Sequence, residues 1–269
     1  MSRTLGDCGL GAVAIDCQWL SKSRHRTLVR TYPVTFLHDV TKQHHERDWH
    51  QLIFASRGHL EVITEDVRRI VPSDRAVWIP AGVRHTDIMR APISMRSVFV
   101  ATAAARRMPA DVRTVAVTPL LRELILHITK LGVLESANPP QARLAAVLFD
   151  LLAAAEPVAL ELPVPRDPRA RRFAELVTDK PGDARSTSQL ARKSGASLRT
   201  LERCFLAETG VAVGEWRRRV RLFHAVRLLE AGKAVGVVAD EVGYDSVSAF
   251  SQAFSKQFGR SPTGRVRRA

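Results

Sequence analysis

Cysteine is scarce: the 269 residues hold three (Cys8, Cys17 and Cys204), an odd number with no CxxC spacing. That excludes a disulfide framework and fits a reducing cytoplasm. Long apolar runs are missing as well. No window reaches about 18 uncharged apolar residues, so no membrane span or membrane partner is expected. Asp7 and Asp16 interrupt the N-terminal stretch, which argues against a signal peptide and for a soluble, cytoplasmic chain. Acidic residues are few relative to basic ones, 27 Asp/Glu against 41 Lys/Arg, for a net charge of +14. The excess is uneven. From Arg166 onward there are 21 Lys/Arg and 11 Asp/Glu, a net of +10, whereas residues 1–165 carry 20 and 16, a net of +4. A basic C-terminal third behind a nearly balanced front points to a polyanion-binding module attached to something else.

Hydrophobic residues make up 45% of the chain, enough for each half to bury a core. The length suggests about two domains. From Tyr32 to Thr102 short alternating runs (QLIFASRG, HLEVITED, RRIVPSD, RAVWIPAG, ISMRSVFVAT) are separated by turn residues, which predicts β-strands in a small barrel or sandwich. Helical periodicity follows in TPLLRELILHITKLG (Thr118–Gly132), with Thr as cap and Pro at the first helical position, and in Gln141–Glu156 after Pro139-Pro140. Pro157, Pro163, Pro165 and Pro168 mark a linker. Beyond it the chain is helical, with Gly at the breaks.

That last part carries one helix–turn–helix pattern twice. In the first copy, Ser188 to Phe205, Leu190 and Ala191 face inward, Gly195 turns the chain and Ser197 caps a helix whose Leu198, Leu201 and Phe205 form a stripe. Arg199, Glu202 and Arg203 fall on the other face. In the second, Val235 to Phe258, Gly243 turns the chain, Asp245 or Ser246 caps, and Phe250, Phe254 and Phe258 anchor the helix. Ser248, Ser251, Gln252 and Lys256 are left outward. The helix Val213–Glu230 lies between the copies and would hold two such helices in successive major grooves. Its run Arg217, Arg218, Arg219, Arg221 is either a solvated face or a source of phosphate contacts.

The tail GYDSVSAFSQAFSKQFGRSPTGRVR and the stretch LARKSGASLRTLERCFLAETG closely resemble the DNA-binding domain of AraC/XylS-type transcription regulators. The resemblance implies that Arg199, Glu202 and Arg203, and then Ser248, Ser251 and Gln252, read bases. Arg is suited to guanine, Gln to adenine and Glu to cytosine N4. Ser197, Arg217, Arg218, Arg221, Ser246 and Lys256 are the matching candidates for phosphate contacts.

The front half resembles a cupin barrel. Pro80-Ala81-Gly82-Val83-Arg84-His85 matches P-x-G-x-x-H, and His45-x-Arg47-x₃-Gln51-x₆-Gly58 is a degraded form of the first cupin motif. His45, Gln51 and His85 are what remains of its metal-ligand set, and a divalent metal is the cofactor such a set would imply. Arg47, a fixed cation where a donor is needed, opposes a metal. His50 is out of register and faces away when Gln51 faces in. The pocket expected from these residues takes a small effector. Trp49 and Trp78 would be its walls, and His45, Arg47, Gln51 and His85 its polar handles.

The expected architecture is α+β and multidomain: an N-terminal cupin-like β-barrel with flanking helices and a C-terminal all-α domain with two helix–turn–helix units. Residues 1–30 read as an irregular segment and 31–105 as the sensor barrel. Linker and dimerisation helices follow over 106–160, a linker over 161–168 and the DNA-binding domain over 169–267. The function implied is a bacterial, sequence-specific DNA-binding transcription regulator controlled by a small-molecule effector. It would act on double-stranded promoter DNA, meet RNA polymerase and form a homodimer. The resemblance slightly favours an activator over a repressor. The competing class is a metal-dependent cupin enzyme carrying a DNA-binding domain, which would need a sound ligand set; with the first motif degraded, a non-enzyme is expected.

Overall fold

The computed structural model describes residues 26–44, 48–65, 67–105, 108–158 and 161–263. In chain order the first strands are β1 (Thr27–Phe36), β2 (Val40–His44), β3 (Trp49–Arg57), β4 (Leu60–Ile63), β5 (Val67–Val71), β6 (Arg75–Ile79), β7 (His85–Met89), β8 (Ile93–Ala101) and β9 (Arg113–Ala116). Then come α1 (Pro119–Leu131), β10 (Val133–Glu135), α2 (Pro139–Ala153) and β11 (Glu161–Pro163). The chain continues through α3 (Pro168–Asp179), α4 (Thr187–Lys193), α5 (Leu198–Thr209), α6 (Val213–Glu230), α7 (Val235–Glu241) and α8 (Val247–Phe258).

The strands form two antiparallel sheets, β10-β1-β8-β3-β6-β9 and β11-β5-β4-β7-β2, the two-sheet cupin-like arrangement. Period-two alternation divides their side chains between two cores. Ile53, Ala55, Val77, Ile79, Ile93 and Met95 of the first sheet meet Leu60, Val62, Val71 and Met89 of the second in the interior. The intervening residues Leu52, Phe54, Ala76, Trp78, Val98 and Val100 face outward and are covered by Leu121, Leu124, Ile125 and Ile128 of α1 and Ala145, Leu148 and Leu152 of α2. Gly58 closes the β3–β4 turn at φ 80°, and a Cβ there would sit 2.7 Å from the Pro92 carbonyl oxygen, so only glycine fits without movement.

Some boundaries differ from the sequence expectation. β1 begins at Thr27, inside the stretch read as irregular; residues 1–25 of that stretch, with Cys8 and Cys17, lie outside the described residues. α2 starts at Pro139 instead of Gln141, because Asn138 caps it by accepting from the Gln141 amide at 3.3 Å and a proline in the first turn has no donor to waste. Residues 161–163 of the expected linker are a strand, β11, paired with β5.

The helical domain is built around Phe173, Phe205, Trp216, Phe223, Phe250, Phe254 and Phe258. Phe205 packs edge-on against both Phe173 and Trp216, at centroid separations of 5.7 and 5.4 Å. Two residues of the second sheet, Ile70 and Leu162, belong to this same core. Trp216 Nε1 donates to the Pro163 carbonyl at 2.9 Å. Further bonds join the two domains. Glu230, at the end of α6, lies 3.0 Å from His59 Nδ1 and accepts from the Ser73 amide at 3.4 Å. Asp74 pairs with Arg260 at 3.0 Å, and Arg75 donates to the Phe258 carbonyl at 3.2 Å. Among the described residues no helix is long and apolar enough to cross a membrane.

Candidate nucleic-acid interface and sensor pocket

The second helix of each unit is held by a serine cap and an apolar stripe. The Ser197 hydroxyl accepts from the Thr200 amide, and that of Ser246 from the Ala249 amide, both at 3.1 Å. Leu201 and Phe205 of α5, and Phe250, Phe254 and Phe258 of α8, are buried. Their opposite faces carry the expected base readers: Arg199, Glu202, Arg203, Ser248 and Gln252 are exposed, and Ser251 is half-buried. Lys256, also exposed, borders a cavity of ≈ 600 Å³ between α6 and α8, together with Gln252, Arg218 and Arg219. Arg219, a member of the arginine run noted in the sequence, is half-buried on α6 beside this groove and pairs with Glu215 at 3.1 Å. Arg218 is exposed and also pairs with Glu215.

Two of the expected phosphate contacts are elsewhere. Arg217 is 8% exposed and donates to the carbonyls of Asp183 (2.6 Å) and Arg185 (2.7 Å) and to the Thr187 hydroxyl (3.2 Å). Arg221 donates to the carbonyls of Pro181 (3.3 Å), Gly243 (3.1 Å) and Asp183 (3.3 Å). Both guanidiniums face the protein because they satisfy loop carbonyls that no helix or sheet partner reaches.

In the two-sheet domain, His45 and Arg47 lie outside the described residues. Gln51 is buried and faces the interior, where its Nε2 donates to the Ser97 hydroxyl at 3.2 Å. Trp49 is on the same face, with the Arg30 guanidinium 4.1 Å above its ring. Trp78 does not join them. It pairs with Leu52, faces α1 and α2, donates from its indole to the Pro109 carbonyl at 2.9 Å and stacks on His50 at 5.0 Å. It belongs to the outer core because residue 78 has the opposite strand parity to Val77 and Ile79.

His85 is buried, and its Nδ1 donates to the Val83 carbonyl at 3.1 Å. Opposite it in register stands His44, and the two rings stack at 5.2 Å. Between them is a residue that the sequence reading missed, Asp87. Its carboxyl is fully buried, with neither oxygen hydrogen-bonded, 3.3 Å from His44 Nε2 and 3.9 Å from His85 Nε2. Strand alternation was the available signal, since residue 87 shares the parity of His85. Lys42 faces the same space from the position paired with Asp87, 5.7 Å from the Tyr32 ring and 5.4 Å from that of Phe36.

This donor set does not suit a metal ion. Among the described residues no group of three His, Cys, Asp or Glu is arranged to hold one, and the Lys42 ammonium adds a competing cation. Burial instead pushes Asp87 up to about 7 against the pull of Lys42. Burial, then the charges of His85 and Lys42, push His44 down to about 4. The interior therefore favours a protonated Asp87 carboxyl beside a neutral His44 imidazole. A separate cavity of ≈ 620 Å³ lies on the outer side of the first sheet, where Pro33 and Arg96 face His127 and Lys130 of α1.

The raised Asp87 value has a defined sign. Between its ordinary 3.8 and about 7 the folded chain holds a proton that the unfolded chain has lost, so stability is full below about pH 4 and falls as pH rises to about 7. Replacing Asp87→Asn removes that loss. In urea unfolding, variant-minus-wild-type stability is expected to rise with pH by about 1.4 kcal/mol per unit between about pH 4 and 7. Parallel profiles for the two proteins would refute the assignment.

Comparison with known proteins agrees with this geometry. A family model described as a helix-turn-helix domain matches residues 190–268. The HTH-type transcriptional regulator NimR of Escherichia coli (strain K12) is 34% identical over 224 residues, covering 83% of this chain and 82% of that protein. The HTH-type transcriptional regulator RipA of Corynebacterium glutamicum is 37% identical over 102 residues, 38% of this chain and 30% of its own. Among solved structures, the DNA-binding domain of AdpA in complex with a target DNA is 32% identical over 36% of this chain and 86% of that one, with a TM-score of 0.33. Its similarity to NimR, which extends through both domains, and the two helix–turn–helix units in one basic helical domain place the chain in the AraC/XylS family of DNA-binding transcriptional regulators.

Proposed function

We propose that this regulator is controlled by a small effector bound between the two sheets and that the second sheet passes the signal to the DNA-binding domain. One observation carries the reading: the second sheet turns one face to the space between the sheets and contributes Ile70 and Leu162 to the helical core. Val71 of β5 points inward, whereas Ile70 belongs to the buried cluster that also holds Phe173, Trp216 and Phe223. His44, His85, Asp87 and Lys42 are on this sheet, as are the turns that bear His59, Ser73 and Asp74. An effector that moves β4 or β5 by a fraction of an ångström changes the seat of α6 and α8, because packed interfaces have discrete arrangements.

The side chains facing the space between the sheets support an effector that has an anionic or carbonyl oxygen and an apolar body. Lys42 and Arg30 supply cations, Trp49, Tyr32 and Phe36 supply flat walls, and Gln51, His44, His85 and Asp87 supply hydrogen-bonding handles. Leu120 and Leu131 of α1 and Val147 of α2 are exposed, which supports a homodimer interface on these helices. Promoter DNA is the partner of α5 and α8, with Arg199, Glu202, Arg203, Ser248, Ser251 and Gln252 reading bases. Ser197, Ser246, Arg218 and Lys256 lie near the backbone. RNA polymerase is the further partner, with activation the commoner mode, in the cytoplasm.

The experiment is selection of bound fragments from random and genomic DNA by the purified chain near physiological salt. An enriched site with two half-elements about one helical turn apart is expected. Strong, salt-sensitive binding with no enriched sequence, with or without candidate effectors, would refute specific recognition. On the enriched site, Arg203→Ala is expected to relax discrimination at one base pair by about 1–3 kcal/mol. An equal loss on every sequence would make Arg203 a phosphate contact instead.

A further inference from the structure

Two arginines of α6, the buried Arg217 and the half-buried Arg221, turn toward the protein and donate to loop carbonyls. α6 already joins the two helix–turn–helix units in sequence. Arg221 ties them together a second time, through backbone carbonyls, and Arg217 anchors α6 to the start of the first unit. Arg217 reaches the start of the first unit: it donates to the Asp183 and Arg185 carbonyls, just before the Ser186 cap of α4, and to the hydroxyl of Thr187 in its first turn. Arg221 is one helical turn further along and touches both units with one guanidinium. Its Nε and Nη2 take the Pro181 and Asp183 carbonyls of the α3–α4 loop, and its Nη1 takes the Gly243 carbonyl in the turn before α8. The Asp183 carbonyl is shared by both arginines.

The loop and the second unit also touch without an intermediary. A Cβ built on Gly182 would lie 2.0 Å from the Glu241 carbonyl oxygen at the end of α7. Only a residue with no side chain lets the two backbones come this close. Gly243 repeats the constraint: it has φ 76°, and a Cβ there would meet the Arg221 guanidinium at 3.1 Å. Asp183 holds the loop in shape by accepting from the Arg185 amide at 2.9 Å and from its guanidinium.

We propose that Arg217, Arg221 and Gly182 form a clamp that fixes the second helix–turn–helix unit relative to the first and thereby sets which half-element spacing in DNA the protein accepts. They are positioning residues and touch no base. Two binding modules on one chain gain affinity only when both can engage at once, and the stiffer the connection, the sharper the dependence on spacing. Apolar packing of Phe258 beside Phe223 seats α8 on α6. The carbonyl strap and the glycine contact add directional restraints between that unit and the α3–α4 loop. Arginine suits the task because its planar fork serves several acceptors, whereas a lysine ammonium is a single point.

The inference rests on α5 and α8 being the base-reading helices, and the experiment tests that reading separately. The full chain is assayed on the bipartite site that it selects from random DNA, on copies with one or two base pairs inserted between the half-elements, and on each half-element alone. Each inserted pair turns one half-element by about 35° relative to the other. Wild type is expected to lose at least about tenfold in affinity per inserted pair, whereas Arg221→Ala and Gly182→Ala lose less than about threefold and keep their half-element affinity and base preference. Thr187→Val, which removes one contact of Arg217, is expected to fall between. Arg221→Lys is expected not to restore the wild-type spacing profile. The proposal is overturned if variants with intact half-element binding keep the wild-type spacer penalty. It is also overturned if half-element binding falls as much as binding to the whole site, which is the mark of a fold defect. Should Arg221→Ala fail to fold, Gly182→Ala and Thr187→Val decide by the same two criteria. Loss of sequence preference on half-elements by wild type itself would instead contradict the base-reading assignment.

Discussion

Consecutive side chains of a β-strand point to opposite faces, and in β5 that alternation sends Val71 between the sheets and Ile70 into the core of the helical domain. The rest of the molecule depends on this double use. β11 extends the same sheet, contributes Leu162 to the helical core and offers the Pro163 carbonyl to Trp216. The two domains are therefore not beads on a flexible tether. They share a wall, and the polar bonds around it (His59 and Ser73 to Glu230, Asp74 to Arg260, Arg75 to the Phe258 carbonyl) fix its register at the ends of α6 and α8. Apolar burial provides the adhesion, and the ion pairs set the alignment, since partly exposed pairs are each worth about 1 kcal/mol or less.

The same logic governs the DNA-binding domain. Its recognition helices are presented by Leu201, Phe205, Phe250, Phe254 and Phe258, which leave no choice about which face is buried. That shared core is apolar and non-directional. Directional bonds come from the buried Arg217 and the half-buried Arg221, whose charge is met by loop carbonyls. A chain with an excess of arginine can spend two on geometry and still present a basic surface.

The helical half was largely legible in the sequence. Helix periodicity, the Ser197 and Ser246 caps, and Gly195 and Gly243 at the turns are local signals, and local signals survive into the structure. The roles of Arg217 and Arg221 were not legible, because a charge run looks the same whether it faces solvent or a distant loop. The sheet half was legible as a fold but less so as a pocket. Trp78 falls on the outer face because strand parity, not residue type, decides which side chain is inward. His44 stands opposite His85 through antiparallel register, which the motif match to His45 did not carry. Asp87 went unnoticed although its parity was available, because a lone carboxylate in an apolar strand reads as a surface residue. β11 was hidden by Pro163 and the prolines that follow it, since a proline suits an edge strand as well as a linker.

If one sheet serves both domains, engagement of DNA by the helices must be felt in β4 and β5, since coupling free energy is reciprocal. Amide hydrogen exchange of the full chain, free and bound to its selected DNA, measures this directly. The account predicts that DNA slows exchange in Leu60–Val71 as well as in the helical domain, with β1, at the far side of the first sheet, unchanged. Slowed exchange confined to the helices would contradict it.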